Sequence, residues 1–210
     1  GNPVRKSLFD CKLTQAEAKK SLGFEADKPL VVFVGGSLGA RTLNQTVIDA
    51  MADGRAALAP FNVLWQTGKR DHVRCVEEAD KYALPNIKCT EFISDMAEAY
   101  RAADLVVARA GAGTISELEL LGKPSILVPS PNVAEDHQRH NAEALVSRGA
   151  AGMVLDKDAE KDLWSQAAVV VENPETLRLL SENISKLALP DADTKIVDEI
   201  YKIVRETHRG

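Results

Sequence analysis

Cysteine is scarce in this sequence. Cys11, Cys75 and Cys89 are an odd number with no CxxC spacing. That excludes a disulfide framework or a thiolate zinc site and points to incidental thiols of a reducing compartment. Long apolar runs are also missing: none approaches the roughly 20 residues a membrane-spanning helix needs, so no transmembrane segment is expected. The opening Gly1-Asn2-Pro3-Val4-Arg5 has neither the apolar core of a signal peptide nor an initiating Met, and reads as a chain cut from the middle of something longer. Basic clusters are limited to pairs such as Lys19-Lys20 and Lys69-Arg70, in a chain of net charge −5. Binding a phosphate backbone needs a concentrated basic stripe, so nucleic acid is excluded as a partner. There is no low-complexity stretch, no Gly/Ser linker and no internal repeat, so one domain is the economical organisation.

What is present suits a sizeable core: 45% of the 210 residues are hydrophobic. Leu30-Val31-Val32-Phe33-Val34 is a continuous apolar run ending in glycine, the pattern of a strand buried on both faces. Further strands are predicted at 62–65, 87–90, 105–108, 125–128 and 152–155. Between them helical periodicity is predicted at 41–53, 71–81, 95–102, 114–121 and 137–148. From Ala159 to Glu206 the sequence reads as three helices divided at Asn173-Pro174 and near Pro190. Strand and helix alternating about five times imply an open, doubly wound, Rossmann-like parallel α/β sheet. Ligands of such sheets bind beyond the carboxyl ends of the strands, which directs attention to the strand-to-helix loops.

After the first strand comes Gly35-Gly36-Ser37-Leu38-Gly39-Ala40-Arg41. Glycines without Cβ let backbone approach a ligand, and the helix that follows offers unpaired N–H groups and a positive dipole end to phosphate. The Ser37 hydroxyl adds a donor. The alternative is a tight turn with no ligand. Neither GxGxxG with a later acid nor GxxxxGK[ST] is present, so dinucleotide and P-loop fingerprints are both excluded. After the fourth strand, Arg109-Ala110-Gly111-Ala112-Gly113-Thr114-Ile115-Ser116-Glu117 again brings small residues to a helix start, with Gly122 and Pro124 as the stop. Two such loops on one edge suit the two phosphates of a nucleotide diphosphate. Two readings stand for Glu117: a capping box with Thr114, or a carboxylate accepting from a ribose diol.

The loop from Pro129 to Ala142 carries two prolines and then a polar helix start, Asp136-His137-Gln138-Arg139-His140-Asn141. The amides of Gln138 and Asn141 both donate and accept, which suits a ligand rich in hydroxyls. A lone D-H-x-x-H with neither HExxH nor a cysteine partner is a polar helix start, so no metal is expected.

Taken in order, Gly35–Arg41, Glu91-Phe92-Ile93-Ser94-Asp95-Met96, Ala110–Glu117 and Asp136–Ala142 resemble the carboxyl-terminal half of the MurG family. These enzymes transfer N-acetylglucosamine from UDP-N-acetylglucosamine to lipid I, giving lipid II of peptidoglycan. The resemblance implies a GT-B enzyme, two Rossmann-like domains facing a cleft. Residues 1–7 would be a remnant of the inter-domain linker and 8–210 the donor-binding domain, with the amino-terminal acceptor domain outside this chain. It implies that Ser37 bonds the diphosphate, with Gly36 beside it, and that Arg5 reaches the donor from the linker. Ile93 would present backbone groups to the uracil edge, with Phe92 and Met96 packing nearby. Ala112, Gly113 and Thr114 would set the helix end facing the phosphates, Glu117 would hold the ribose, and Gln138 would contact the sugar. His137 stands beside it, where relatives carry a second glutamine. A core role for Ile93 and a frayed terminal side chain for Arg5 are the alternatives.

No catalytic residue is expected in this chain, because the family's proposed base lies in the other half. No metal or other cofactor is implied. The partners implied are UDP-N-acetylglucosamine, the missing half and lipid I, at the cytoplasmic face of the bacterial plasma membrane. The fragment would bind donor weakly and transfer nothing. Two other functions compete: another GT-B enzyme such as a UDP-N-acetylglucosamine 2-epimerase, and a non-catalytic nucleotide-binding module.

Overall fold

Alternate residues of the first strand, β1 (Leu30–Val34), point to opposite faces, and both faces are covered. Val31 and Phe33 enter one apolar cluster while Leu30 and Val32 enter another. That is why the run reads as unbroken apolar sequence. The computed structural model describes Val4, residues 6–132 and residues 136–189. Arg5 and the helix expected beyond Pro190 lie outside the described residues.

Five further strands follow: β2 (Asn62–Gln66), β3 (Ile87–Thr90), β4 (Leu105–Ala108), β5 (Ser125–Leu127) and β6 (Gly152–Met153). All adjacent pairs are parallel, and the order across the sheet is β3-β2-β1-β4-β5-β6. The order reverses between β1 and β4. This is the doubly wound topology expected from the alternation of elements, and its switch point lies between those two strands. β5 and β6 stop one and two residues short of the expected ends.

The helices split between the faces. α2 (Arg41–Ala52) and α8 (Asp156–Val171) cover the side of Phe33 and Trp65, where Trp164 of α8 stacks on Phe33 with ring centroids 6.2 Å apart. α5 (Met96–Ala102), α6 (Ala112–Leu121), α7 (His137–Val146) and α9 (Pro174–Ser185) contribute Tyr100, Leu118, Leu145 and Ile184 to the other side. The break at Asn173-Pro174 is where expected. The Asn173 side chain accepts from the Thr176 amide, and Pro174 opens α9 without needing its missing N–H. α8 begins at Asp156, three residues before the expected Ala159.

Three elements escaped the sequence reading: α1 (Gln15–Ser21), α3 (Arg55–Leu58) and a 3₁₀ turn over Lys6–Phe9. α4 (His72–Tyr82) completes the set. Gly122 ends α6 in the left-handed region at φ 61°, as the Gly-x-Pro stop implied.

Candidate functional site

The loop after β1 is built by close backbone packing. Gly39 (φ 84°) and Gly68 (φ 74°) lie back to back, so a Cβ on Gly39 would sit 2.2 Å from the Thr67 carbonyl oxygen. The Gly39 amide donates to the Gly36 carbonyl at 3.1 Å, and the Lys69 amide to the Ser37 carbonyl at 3.1 Å. Beneath them lies a buried polar network. Trp65 Nε1 donates to Asn44 Oδ1 at 2.9 Å, while Asn44 Nδ2 donates to the Thr67 carbonyl and to Asp71 Oδ2. The Arg74 guanidinium, 2.7 Å from Asp71, holds that carboxyl below the usual range. The result is a fixed platform from which Gly36 and Ser37 stand exposed to solvent.

The helix start after β4 is made differently. Gly111 is the N-cap, extended at φ −68° and ψ 142°, and no side chain caps the helix. Thr114 therefore lies inside α6, and the capping-box reading of Thr114 and Glu117 is overturned. Glu117 Oε2 instead accepts from Tyr100 Oη at 2.9 Å, across from α5. Ala112 and Gly113 are exposed, and a Cβ on Gly111 or Gly113 would meet nothing within 4 Å. α2 likewise has no side-chain cap. Two helices thus begin on adjacent strands with their first amides unclaimed by capping side chains, an arrangement suited to anions.

Gln138 opens α7 after β5, its Oε1 accepting from the Ser130 amide at 2.9 Å. Asn141 Nδ2 donates to the Ala110 carbonyl at 3.2 Å and so ties α7 to the β4 loop. His137 is exposed beside Gln138. After β3, the Ile93 side chain is buried at 6% exposure, as the core reading proposed, and its amide donates to Gln66 Oε1 at 2.9 Å. Ile93, Met96 and the exposed Phe92 line one cavity of about 620 Å³, to which Ser7, Leu8 and residues 10–13 also contribute. Ser37, Glu117, Gln138 and the Ile93 loop therefore follow β1, β4, β5 and β3, on one edge of the sheet. Among the described residues no group of three or more His, Cys, Asp or Glu side chains is placed to hold a metal.

The sequence reading missed residues that hold this edge together. Arg109, at the end of β4, is ion-paired with Asp156 and donates to the Val128 carbonyl at 3.2 Å, while Asp156 also accepts from Thr42 Oγ1 of α2. Gln66 bridges two loops. A charged or amide residue directly at the end of an apolar strand was the signal available for both.

A parallel sheet of this order, with small-residue loops and uncapped helix starts on both sides of its switch point, defines a doubly wound, Rossmann-like α/β domain whose switch-point crevice is of the kind that holds ligands. Residues 30–196 match the glycosyltransferase family 28 C-terminal domain, and the chain belongs to that family. It is 49% identical over 209 residues to the UDP-N-acetylglucosamine--N-acetylmuramyl-(pentapeptide) pyrophosphoryl-undecaprenol N-acetylglucosamine transferase of Bacteroides fragilis, covering 99% of this chain and 54% of the relative. To the enzyme of the same name from Porphyromonas gingivalis it is 46% identical over 213 residues, covering 100% of this chain and 55% of the relative. The chain thus spans about half the length of the curated relatives it matches. Among solved structures, Acinetobacter baumannii MurG superimposes with a TM-score of 0.73 at 29% identity, over 95% of this chain and 55% of that one. The UDP-GlcNAc 2-epimerase of Neisseria meningitidis, at 18% identity and a TM-score of 0.57 over 93% of this chain and 51% of that one, shares the fold.

Proposed function

We propose that this chain is the donor-binding half of an inverting transferase that moves N-acetylglucosamine from UDP-N-acetylglucosamine to a lipid-linked muramyl-pentapeptide acceptor, lipid I, giving lipid II. The observation that carries this reading is the pair of uncapped helix starts, α2 and α6, on the adjacent strands β1 and β4. Their amides and the Ser37 hydroxyl take the pyrophosphate, and Gly36, Ala112, Gly113 and Thr114 keep the approach free of bulk. The remaining groups follow β3, β4 and β5 on the same edge. At about 4.8 Å per strand, the edge from β3 to β5 measures about 19 Å. That is room for a nucleotide sugar held across those loops. The uracil sits in the cavity of Phe92, Ile93 and Met96. The Ile93 amide is already committed to Gln66, so its carbonyl accepts from uracil N3–H, a proton cytosine lacks. Glu117 accepts from the ribose diol, Gln138 with His137 meets the sugar hydroxyls, and Arg5 reaches the donor from the first segment.

In the transfer step, the acceptor hydroxyl attacks the anomeric carbon as the bond to the diphosphate breaks, inverting that centre. Negative charge grows on the leaving diphosphate. Fixed amides at two helix starts meet it without reorganising, which is where such a site lowers a barrier. The other half of the enzyme supplies the acceptor site and the base, so this chain alone binds donor weakly and transfers nothing. The lipid acceptor places the full enzyme peripherally at the cytoplasmic face of the plasma membrane. No helix of the described residues is long and apolar enough to cross a membrane. Calorimetry with UDP, ADP and NAD tests the reading: UDP binds, and ADP and NAD bind at least tenfold more weakly. Preference for an adenine nucleotide overturns it. Mass spectrometry of products from a chimera with a family amino-terminal half then separates transfer from epimerisation.

A further inference from the structure

Gln66 is a carboxamide at 3% exposure, set where the sheet meets the two loops assigned above to phosphate and base. It is the last rung of β2, paired on one side with Val34 of β1 and on the other with Thr90 of β3. Its Nε2 donates to the Gly36 carbonyl at 3.1 Å, and its Oε1 accepts from the Ile93 amide at 2.9 Å. One planar group thereby joins the glycine loop to the base loop. The chemistry is restrictive. The bridging group must donate at one end and accept at the other. A carboxylate would face the Gly36 carbonyl oxygen with a second acceptor. An aliphatic side chain would leave the buried Ile93 N–H unpaired, which is costly, and the Gly36 carbonyl with the Gly39 amide alone.

We propose that Gln66 is a positioning residue for the nucleotide: it sets the separation between the phosphate-binding and uracil-binding loops and touches neither ligand group itself. This rests on the donor-site reading given above. A ligand that spans both loops feels that separation, whereas a ligand occupying one loop does not. Misplacing one end of a preorganised site by a fraction of an ångström is enough to weaken a bipartite ligand.

The test compares the wild-type chain, Gln66→Glu and Gln66→Leu, each checked by thermal unfolding, against three probes: UDP, uridine and inorganic pyrophosphate. The expected result is that both variants bind UDP about tenfold more weakly, while uridine and pyrophosphate each change less than about twofold. Gln66→Glu carries a second signature. Protonated, its carboxyl again donates to Gly36 and accepts from Ile93, so its UDP affinity relative to wild type at the same pH recovers as pH falls from 9 to 5. Unchanged UDP affinity in a folded variant overturns the proposal. So does a proportional loss for all three probes, or a Gln66→Glu deficit that ignores pH. If neither variant folds, the wild-type Gln66 side-chain NH₂ resonance decides: slow solvent exchange retained at UDP saturation supports the bridge, and fast exchange overturns it. Failure of the wild-type chain to bind UDP defeats the donor-site reading itself, and is thereby told apart from a failure of this one.

Discussion

The two glycine-rich loops look alike in sequence but owe their glycines to different causes. In the loop after β1, Gly39 is demanded by the protein: it is in the left-handed region, and a Cβ there would collide with the Thr67 carbonyl. In the loop after β4, Gly111 and Gly113 are demanded by nothing among the described residues, because a Cβ at either meets none of their atoms within 4 Å. A glycine with no internal reason at an exposed helix start suggests an external one, the close approach of a ligand. One loop is a platform and the other is a landing surface.

That contrast is open to direct attack. Gly39→Ala combines a left-handed backbone with a backbone overlap, each of which costs one to a few kcal/mol, so a loss of roughly 2–5 kcal/mol is expected in denaturant unfolding. A loss below about 1 kcal/mol would erase the platform's distinction. Glu117→Gln keeps an acceptor for Tyr100 but weakens the bond to a diol. UDP affinity should fall roughly tenfold in calorimetry with little change in melting temperature. Gly113→Ala should raise stability by up to about 1 kcal/mol, since alanine favours a helix, yet weaken UDP roughly fivefold. Equal affinity would leave Gly113 without its ligand.

A control sits at the opposite edge of the sheet. Burial pushes the Lys123 ammonium down to about 8 from 10.5, while its Nζ donates to the Ala103 carbonyl at 3.0 Å. The folded chain therefore releases this proton before the unfolded chain does. The penalty of burying the charge is present in full below pH 8 and disappears as pH rises toward 10.5. Stability should rise across that window, the rise should vanish in Lys123→Met, and neither should change UDP affinity measured at pH 7.

Much of this was legible in the sequence, and the reasons differ by element. β1 announced itself because burial on both faces removes polar residues from the whole run. α9 did so because Asn173-Pro174 is both a cap and a start. α1 did not, although Thr14-x-x-Glu17 forms a complete capping box. Its seven residues carry too short an apolar stripe to register. Thr114-x-x-Glu117 shows the reverse failure: the spacing of a capping box is present, but the extended Gly111 starts the helix three residues before that box would place its first residue. Asn44, Gln66 and Arg109 stayed hidden because their partners lie 19 to 47 residues away in the chain. Local pattern cannot report a contact that only the sheet creates.

The central claim is that two helix starts on neighbouring strands hold one pyrophosphate together. The direct measurement is a UDP titration followed by backbone amide NMR. The account predicts that resonances from Ser37 to Ala40 and from Gly111 to Thr114 shift together and fit a single dissociation constant. Shifts confined to one loop, or two loops saturating at different UDP concentrations, would contradict it.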